Sequence, residues 1–452
     1  MPQASYSFSR IHGYSYSLIA CQAAYLATYY PSICWSTAYL RAISGLDEDE
    51  SSNYGKIAKG IGDIKSHGVK VSAIDINKSQ YAFSPDISNN TILYGLKAVN
   101  GINGDTINQI INNRPYESFE GFIEKTNLNK TSILSLIKGG AFDSFGQRKT
   151  IMKKYITMVS EPKKKLTFAN FAKLVEFDLI PKGMKSIKQI YVYNKALKKN
   201  CVCGDYFKLK EDKFYKFFNK HFDVDMLKPC EDSVGISQKE WKKIYDKEML
   251  AAKEYIKENQ KELLEKYNKI LFNEQWNKYA KGNYSSWEME SLGMYYHDHE
   301  LKNINRQDYE IVPFNSLSET PVVEYSFNRG GRDIPIYKTF RIAGTVISKD
   351  DLHSSICVLT VDGEVVSVKM NRDYYAKYNQ RLSEIMPDGT KKVRENSWFQ
   401  RGTLVILNGF RRGRNFVLKK YKKTKYHQMY RITAINEDGI VEITSQRYNE
   451  GE

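Results

Sequence analysis

The sequence predicts a multidomain α+β protein, mostly helical before Phe340 and closed by a β-barrel after it. Three observations predict this. The 452 residues are too many for one hydrophobic core, so roughly two to four domains are expected. Before Phe340, apolar residues recur at helical spacing and are punctuated by two glycine-rich turns. From Phe340 the period shortens to alternation, with turn dipeptides between the apolar runs.

The first element is SYSFSRIHGYSYSLIACQAAYLATYYP, residues 5–31. Tyr14, Leu18, Cys21 and Tyr25 recur at i, i+4, i+7 and i+11, one face of a helix that Pro31 ends. Arg10 and His12 at its start are donors suited to a phosphate; for His12 the plainer reading is local packing. Pro31 to Ser66 reads as helical and polar, and residues 67–77 as a strand and turn in which Asp75, taken alone, looks catalytic.

Next come two helix–hairpin–helix patterns. In ILYGLKAVNGINGDTINQII (92–111), Leu96, Val99, Ile107, Ile110 and Ile111 give two helical faces around Gly101-Ile102-Asn103-Gly104. In LSLIKGGAFDSFGQR (134–148), an apolar helix runs into Gly139-Gly140 and a tight turn, where Asp143 or Ser144 is placed to cap a helix starting at Arg148. Small residues let a nucleic-acid backbone approach, and helix amino-terminal amides point at its phosphates. A single Gly-x-x-Gly is usually a helix cap, whereas two such units in tandem form a DNA grip. The candidate contacts are Gly101, Asn103, Gly104, Lys138, Gly139, Gly140 and Arg148.

Residues 150–285 are less legible. Lys163–Lys165 and Lys198-Lys199 read as solvated faces. Gln238 to Trp276 predicts a long helix with a break and a packing stripe of Trp241, Tyr245, Met249, Ala252, Tyr255, Ile256, Leu263, Tyr267 and Ile270. Asp223 and Asp225, taken alone, resemble a metal-binding carboxylate pair; only the domain order that the family resemblance below implies sets them aside as catalytic groups. His297 and His299 have no further ligands beside them in sequence, so they read as part of a structural junction.

The last element predicts strands at Phe340–Ser348, Ile356–Val361, Glu364–Met370, Thr403–Phe410 and Asn415–Leu418, with a helix over Arg372–Gln380 after the third. Five strands with a helix in that place describe an OB-fold, a single-strand-binding barrel. Arg411, Arg412, Arg414, Phe416, Lys420, Tyr421 and Lys422 interleave charge with aromatic rings near its last turns, a composition suited to tracking phosphates and stacking bases.

Composition agrees. A net charge of +16 and 33 tyrosines favour a polyanionic partner, most simply nucleic acid. Six scattered cysteines without a C-x-x-C pair suit reduced thiols in the cytoplasm. No apolar run is long enough to span a membrane, so no membrane partner is expected.

The string LIKGGAFDSFGQR closely resembles a segment of the bacterial DNA polymerase III alpha subunits, the C-family replicative polymerases. There a nearly identical phrase closes a tandem helix-hairpin-helix unit. The first helix is similar to the family's fingers phrase FNKSHAxxYxxxxYQxxYLKxxYP through Phe8, His12, Tyr16, Gln22, Tyr25, Leu26, Tyr30 and Pro31. Arg10 keeps the charge of the family lysine, while Ser9 and Gly13 depart from the phrase. Residues 67–77 resemble GIKVLPPDIN, which makes Asp75 structural. Residues 92–111 resemble GLGAIKGVGEKAVEAII, with Asn103 at the second hairpin glycine; asparagine tolerates left-handed backbone, so the hairpin is kept. Trp287 to Tyr296 resembles EKExLGFYLSGHPL, with Glu300 in place of the later proline.

The resemblance implies the end of the fingers over 1–88, tandem hairpins over 89–160, a helical region over 161–310 and the OB domain over 325–446, in DnaE-type order. It implies nucleotide or template contacts at Arg10, His12 and Tyr16. It also implies a DNA polymerase whose palm aspartates (PDxDxDF-like, without a match here) lie on a separate amino-terminal polypeptide that carries Mg²⁺, with no cofactor on this chain. Primer–template duplex and single-stranded DNA are the expected ligands. A sliding clamp is a further partner, for which Gln189-Ile190-Tyr191-Val192-Tyr193 is the nearest motif. The alternative is a non-enzymatic DNA-binding accessory protein built from the same hairpins and barrel.

Overall fold

The computed structural model describes residues 10–45, 53–181, 184–200, 202–209, 216, 218, 227–230, 233–386, 389–421 and 425–448. The chain divides into two compact units, one of residues 1–152 with 282–452, the other of residues 153–281.

The first unit opens with α1 (Arg10–Tyr29), α2 (Ser32–Ser44) and α3 (Tyr54–Ser66). Pro31 sits at the amino-terminal cap of α2 and separates it from α1. The Tyr14–Tyr25 stripe lies on α1, but it is not covered: Tyr14 is 73% exposed and Tyr25 58%. The helix carries no acidic residue, and its aromatic side chains lie open all round. By contrast α2 and α3 bury Ile33, Leu40, Ile57, Ile61 and Ile64 against one another and the following sheet. That sheet contains β1 (Lys70–Val71), β2 (Ser84–Asp86) and β3 (Thr91–Leu93) in the order β1-β3-β2. Asp75 makes a turn, its Oδ1 accepting from the amides of Asn77 (2.8 Å) and Lys78 (3.0 Å). The Ile76 amide then donates to Ala141 O (2.9 Å), which ties this turn to the second hairpin.

The hairpin helices are α4 (Gly104–Asn112), α5 (Phe119–Lys125), α6 (Lys130–Gly139) and α7 (Arg148–Val159). Phe122 and Phe142 pack edge to face between them, with ring centroids 4.8 Å apart.

The second unit holds α8 (Phe171–Glu176), α9 (Lys185–Asn200), a sheet of β4 (Val202–Cys203), β5 (Tyr206–Leu209), β6 (Lys228–Cys230) and β7 (Ser233–Ser237) in the order β4-β5-β7-β6, then α10 (Gln238–Glu258) and α11 (Gln260–Tyr279). The predicted long helix is therefore two helices broken at Asn259. Its stripe is the core: Trp241, Met249, Ala252, Ile256, Leu263 and Tyr267 are buried with Phe171 and Ile236. The Gln189–Tyr193 segment lies inside α9, and Ile190 belongs to that core. Asp223 and Asp225 lie outside the described residues.

The chain returns to the first unit with α12 (Tyr284–Leu292) and an exposed hairpin of β8 (Val323–Arg329) and β9 (Arg332–Tyr337). The barrel follows: β10 (Phe340–Asp350), β11 (Ser355–Thr360), β12 (Val365–Lys369), α13 (Arg372–Asn379), the hairpin of β13 (Leu382–Ile385) and β14 (Lys391–Glu395), β15 (Leu404–Arg412) and β16 (Asn415–Leu418). The order β10-β11-β12-β16-β15 closes through β10–β15, with β12 and β16 parallel and the other pairs antiparallel. This five-stranded closed barrel with a helix after its third strand is the expected OB-like fold. Two more strands, β17 (Met429–Ile435) and β18 (Val441–Thr444), extend the sheet from β15. Trp398, Phe416, Val358 and Leu407 fill the barrel.

Candidate nucleic-acid interface

The second hairpin is built around a buried ion cluster. Helix α6 ends at Gly140, whose φ of +88° belongs to the left-handed region, and the Ala141 amide turns back to Leu136 O (3.0 Å). A β-carbon at Gly140 would stand 2.3 Å from Arg148 Nη2, so glycine is required twice, by conformation and by space. Arg148 is only 2% exposed. Its Nη1 donates to Glu288 Oε1 (2.8 Å) and to Lys138 O (3.1 Å), while Nε and Nη2 donate to the Asp143 carboxylate (3.1 and 2.5 Å). Burial pulls the Arg148 pKa down, but the hydrogen bonds and charges of Asp143 and Glu288 more than offset this, and the guanidinium is held charged. Asp143 thus holds Arg148 rather than capping α7, because its carboxylate already forks onto the guanidinium.

Glu288 is the hub of the cluster. Fully buried on α12, it also accepts from the amides of Tyr296 (2.8 Å) and His297 (2.9 Å) and bonds His297 Nδ1 (2.6 Å). The same helix stitches both hairpins together. Ser291 O accepts from the Asn100 amide (2.8 Å), Ser291 Oγ donates to Ser135 O (2.7 Å), and Leu292 O accepts from the buried Tyr94 hydroxyl (2.8 Å). Gly139 is pressed against this helix, where an added β-carbon would lie 2.9 Å from Ser291 Oγ. Lys138 is buried and paired with Glu290 Oε2 at 2.6 Å. Lys138 and Arg148 therefore spend their charge inside the protein. The exposed rim at the start of α7 is Ser144, Gly146, Gln147, Lys149 and Lys153.

In the first hairpin Gly101 takes the left-handed turn (φ +77°), and Asn103 is extended (φ −101°). Asn103 serves as the amino-terminal cap of α4, its Oδ1 accepting from the Thr106 amide at 2.9 Å. The tolerance of asparagine for left-handed backbone is not used, because the turn needs only one such residue and Gly101 supplies it. Gly104 is the first residue of α4.

Arg10 is the first residue of α1. His12 and Tyr16 stand one turn apart with rings 4.7 Å from each other, and Tyr16 is 66% exposed. Phe8 and Ser9 lie outside the described residues, as does Lys422.

On the barrel the predicted set divides. Phe416 is fully buried in the barrel core and has no face for a base. Arg411 donates to Gly413 O (2.8 Å) and Leu317 O (3.0 Å) and pairs with Glu319 (2.9 Å), bracing the turn. Tyr421 is half-buried and accepts from the Tyr337 amide (3.2 Å). Arg412, Arg414 and Lys420 are exposed. The physical reason is strand alternation: with Phe416 facing in, the outward positions of the turn fall to its arginines. Beside them a cleft of about 940 Å³ opens between the start of α3 and strands β10 to β12. It is lined by Lys56, Lys59, Lys349, Arg401 and Arg414 together with Asp350 and other acids, and Arg401 lies 3.5 Å over the Tyr54 ring.

His297 and His299 do not converge on further ligands; no group of three or more His, Cys, Asp or Glu is placed to hold a metal among the described residues. His299 Nδ1 accepts from the Leu301 amide (3.0 Å), so Nε2 carries the proton toward Leu359 O (3.2 Å). No helix among the described residues is long and apolar enough to cross a membrane.

Tandem hairpins clamped by one helix, in one unit with an OB-like barrel, define a nucleic-acid-binding class of protein. Comparison with known proteins specifies it. A family model described as a helix-hairpin-helix motif matches residues 68–152. The chain is 39% identical, over 98% of its length, to "Probable DNA polymerase YorL" of Bacillus subtilis and equally to "DNA-directed DNA polymerase" of Bacillus phage SPbeta. It spans about a third (35%) of the length of those relatives. The DNA polymerase III alpha subunit of Campylobacter jejuni is 32% identical over 36% of this chain and 14% of its own length. Along nearly its whole length the chain thus resembles a portion of those two DNA polymerases, and along about a third of it the DNA polymerase III alpha subunit.

Proposed function

We propose that this chain serves DNA replication as the fingers-end, hairpin and barrel portion of a template-directed DNA polymerase whose palm aspartates and Mg²⁺ are carried on a separate polypeptide. The carrying observation is the coupling of both hairpins to one helix, the second through the Arg148–Glu288–Asp143 cluster and the first through the Asn100 amide on Ser291 O and the Tyr94 hydroxyl on Leu292 O. A hairpin binds a phosphate with backbone amides, so its affinity depends on a turn held in one conformation rather than on a flexible cation. The exposed amides and polar groups around Gly146 and Gln147, flanked by Lys149 and Lys153, are the phosphate-facing rim. Arg148 and Lys138 act from inside by fixing its shape. This arrangement grips duplex DNA without reading bases, which a replicative enzyme requires.

Helix α1 supports the second polypeptide. A helix whose tyrosines and large aliphatic side chains lie open, and which has no acidic residue, is one that packs inside an assembly. Arg10, His12 and Tyr16 then stand beside the incoming nucleotide and template.

Binding to a primer–template duplex tests the DNA reading. The affinity should fall with salt as several phosphate contacts are screened, about 0.9 in log–log slope per contact. The same slope and affinity on unrelated sequences are expected. A chain that does not bind duplex DNA at low salt refutes it.

A further inference from the structure

The β8–β9 hairpin stands outside the barrel's own strands, and nothing above assigns it a role. Its register pairs Tyr325 with Ile336, Phe327 with Ile334 and Arg329 with Arg332. Residues directly opposite in an antiparallel pair share a face. One face of the ribbon therefore carries two aromatic rings above two isoleucines, ending in two arginines that flank Gly330-Gly331. Tyr325 is 44% exposed and Phe327 43%, high values for large apolar residues in ordered strands. The acid on β9, Asp333, lies on the opposite face and bonds Asn328 Nδ2 (3.0 Å). Arg329 and Arg332 make no ion pair among the described residues.

The opposite face anchors the ribbon. Tyr337 packs on Phe410 with ring centroids 4.8 Å apart, Arg412 lies 5.8 Å over the Tyr337 ring, and the Tyr337 amide donates to the Tyr421 hydroxyl at 3.2 Å. The root is thus fixed beside the β15–β16 turn, where Arg412 and Arg414 are exposed. The aromatic face projects from it.

We propose that this hairpin is a single-strand-binding wing that extends the barrel's basic turn, stacking unpaired bases of the template on Tyr325 and Phe327 and holding phosphates with Arg329 and Arg332. From Tyr325 to Arg329 the strand rises roughly 13 Å, room for successive bases on two rings. Aromatic faces interleaved with arginine are the chemistry of sequence-tolerant single-strand binding. Exposed rings that end in two arginines suit a ligand carrying both flat faces to stack and anionic groups along one chain, which single-stranded nucleic acid supplies. The inference rests on the DNA reading above.

The test is titration of the full chain against a fluorescein-labelled oligothymidylate over a salt series, with a primer–template duplex in parallel. The Tyr325→Ala/Phe327→Ala variant should bind the oligonucleotide about thirtyfold or more weakly, the low end expected for two lost stacks. Its salt slope should not change. The Arg329→Gln/Arg332→Gln variant should lower that slope by about 1.4, roughly 0.7 per phosphate. Both variants should melt like the wild type and keep its duplex affinity. Wild-type oligonucleotide affinity and slope in both variants overturn the wing. So does intact oligonucleotide binding together with lost binding to a palm-bearing polypeptide, which makes the face a protein contact. A wild-type chain that binds neither DNA overturns the replication reading itself, and the wing with it.

Discussion

Replacing Glu288 with glutamine removes one charge from the centre of the hairpin clamp and leaves its volume unchanged. The site is fully buried, and the carboxylate accepts from Arg148, His297 and two backbone amides at 2.6 to 2.9 Å. Every neighbour of that carboxylate is a donor or a cation. An amide has one oxygen to offer them, and its NH₂ must point at groups that also donate. Breaking a buried pair from one side costs about 3–5 kcal/mol, because the surviving charge stays desolvated. Removing both partners with apolar groups of similar size costs far less. Glu288→Gln should therefore raise hydrogen exchange in α6 and α12 by roughly two orders of magnitude or more, at about 1.4 kcal/mol per tenfold. Peptides from α10 and α11 should exchange as before, and duplex binding should weaken. The Arg148→Met/Glu288→Gln double variant removes the stranded guanidinium, leaves the Tyr296 and His297 amides the glutamine oxygen as acceptor, and should recover part of the protection. A change of less than about threefold in α6 and α12 would falsify the claim that this cluster fixes the hairpin.

Three further outcomes follow from the same geometry. Gly140→Ala places a β-carbon against Arg148 and forces alanine into φ +88°; a loss of about 2 kcal/mol or more in thermal or urea unfolding is expected, with weaker duplex binding. Asn103→Ala removes the α4 cap and should cost about 1 kcal/mol, whereas Asn103→Gly should cost only a few tenths; equal losses in the two variants would show that the cap is not used. Burial lowers the His299 pKa to about 4. A depressed folded-state value means that the unfolded chain binds the proton first, so stability is full above about pH 6.5 and falls by roughly 3 kcal/mol as the pH drops toward 4. Unfolding of His299→Gln compared with wild type across that window should show a flatter pH dependence.

Much of this was legible in the sequence, for reasons that differ along the chain. Strands β10 and β15 were readable as nearly continuous apolar runs, being buried along most of their length. Strands β11, β12 and β16 and the helix were readable because one face of each is buried, and burial enforces periodicity: Asn415–Leu418 stands as expected, and the helix ends at Asn379 rather than Gln380. The α10–α11 stripe was readable for the same reason at helical period. The hairpin glycines were visible as a string. The role of Glu288 was not, since 140 residues separate it from Arg148 and only the fold brings them together; its signal was a glutamate set between the apolar Trp287 and Met289. Lys138, Arg148 and Arg411 looked like DNA contacts because a basic residue beside a turn carries the same letter whether it faces solvent or a buried carboxylate. Phe416 was grouped with its exposed neighbours although alternation points it inward. The β8–β9 ribbon was missed because it buries neither face fully, and β4 to β7 because they are short.

Primer extension is the most direct measurement of the central claim. It compares this chain alone, a palm-containing polypeptide from the same genome alone, and the two mixed with Mg²⁺. The account predicts extension only in the mixture, lost on Arg10→Ala or His12→Ala and weakened by Glu288→Gln. A mixture that extends no primer while this chain still binds duplex DNA contradicts it and leaves an accessory DNA-binding protein.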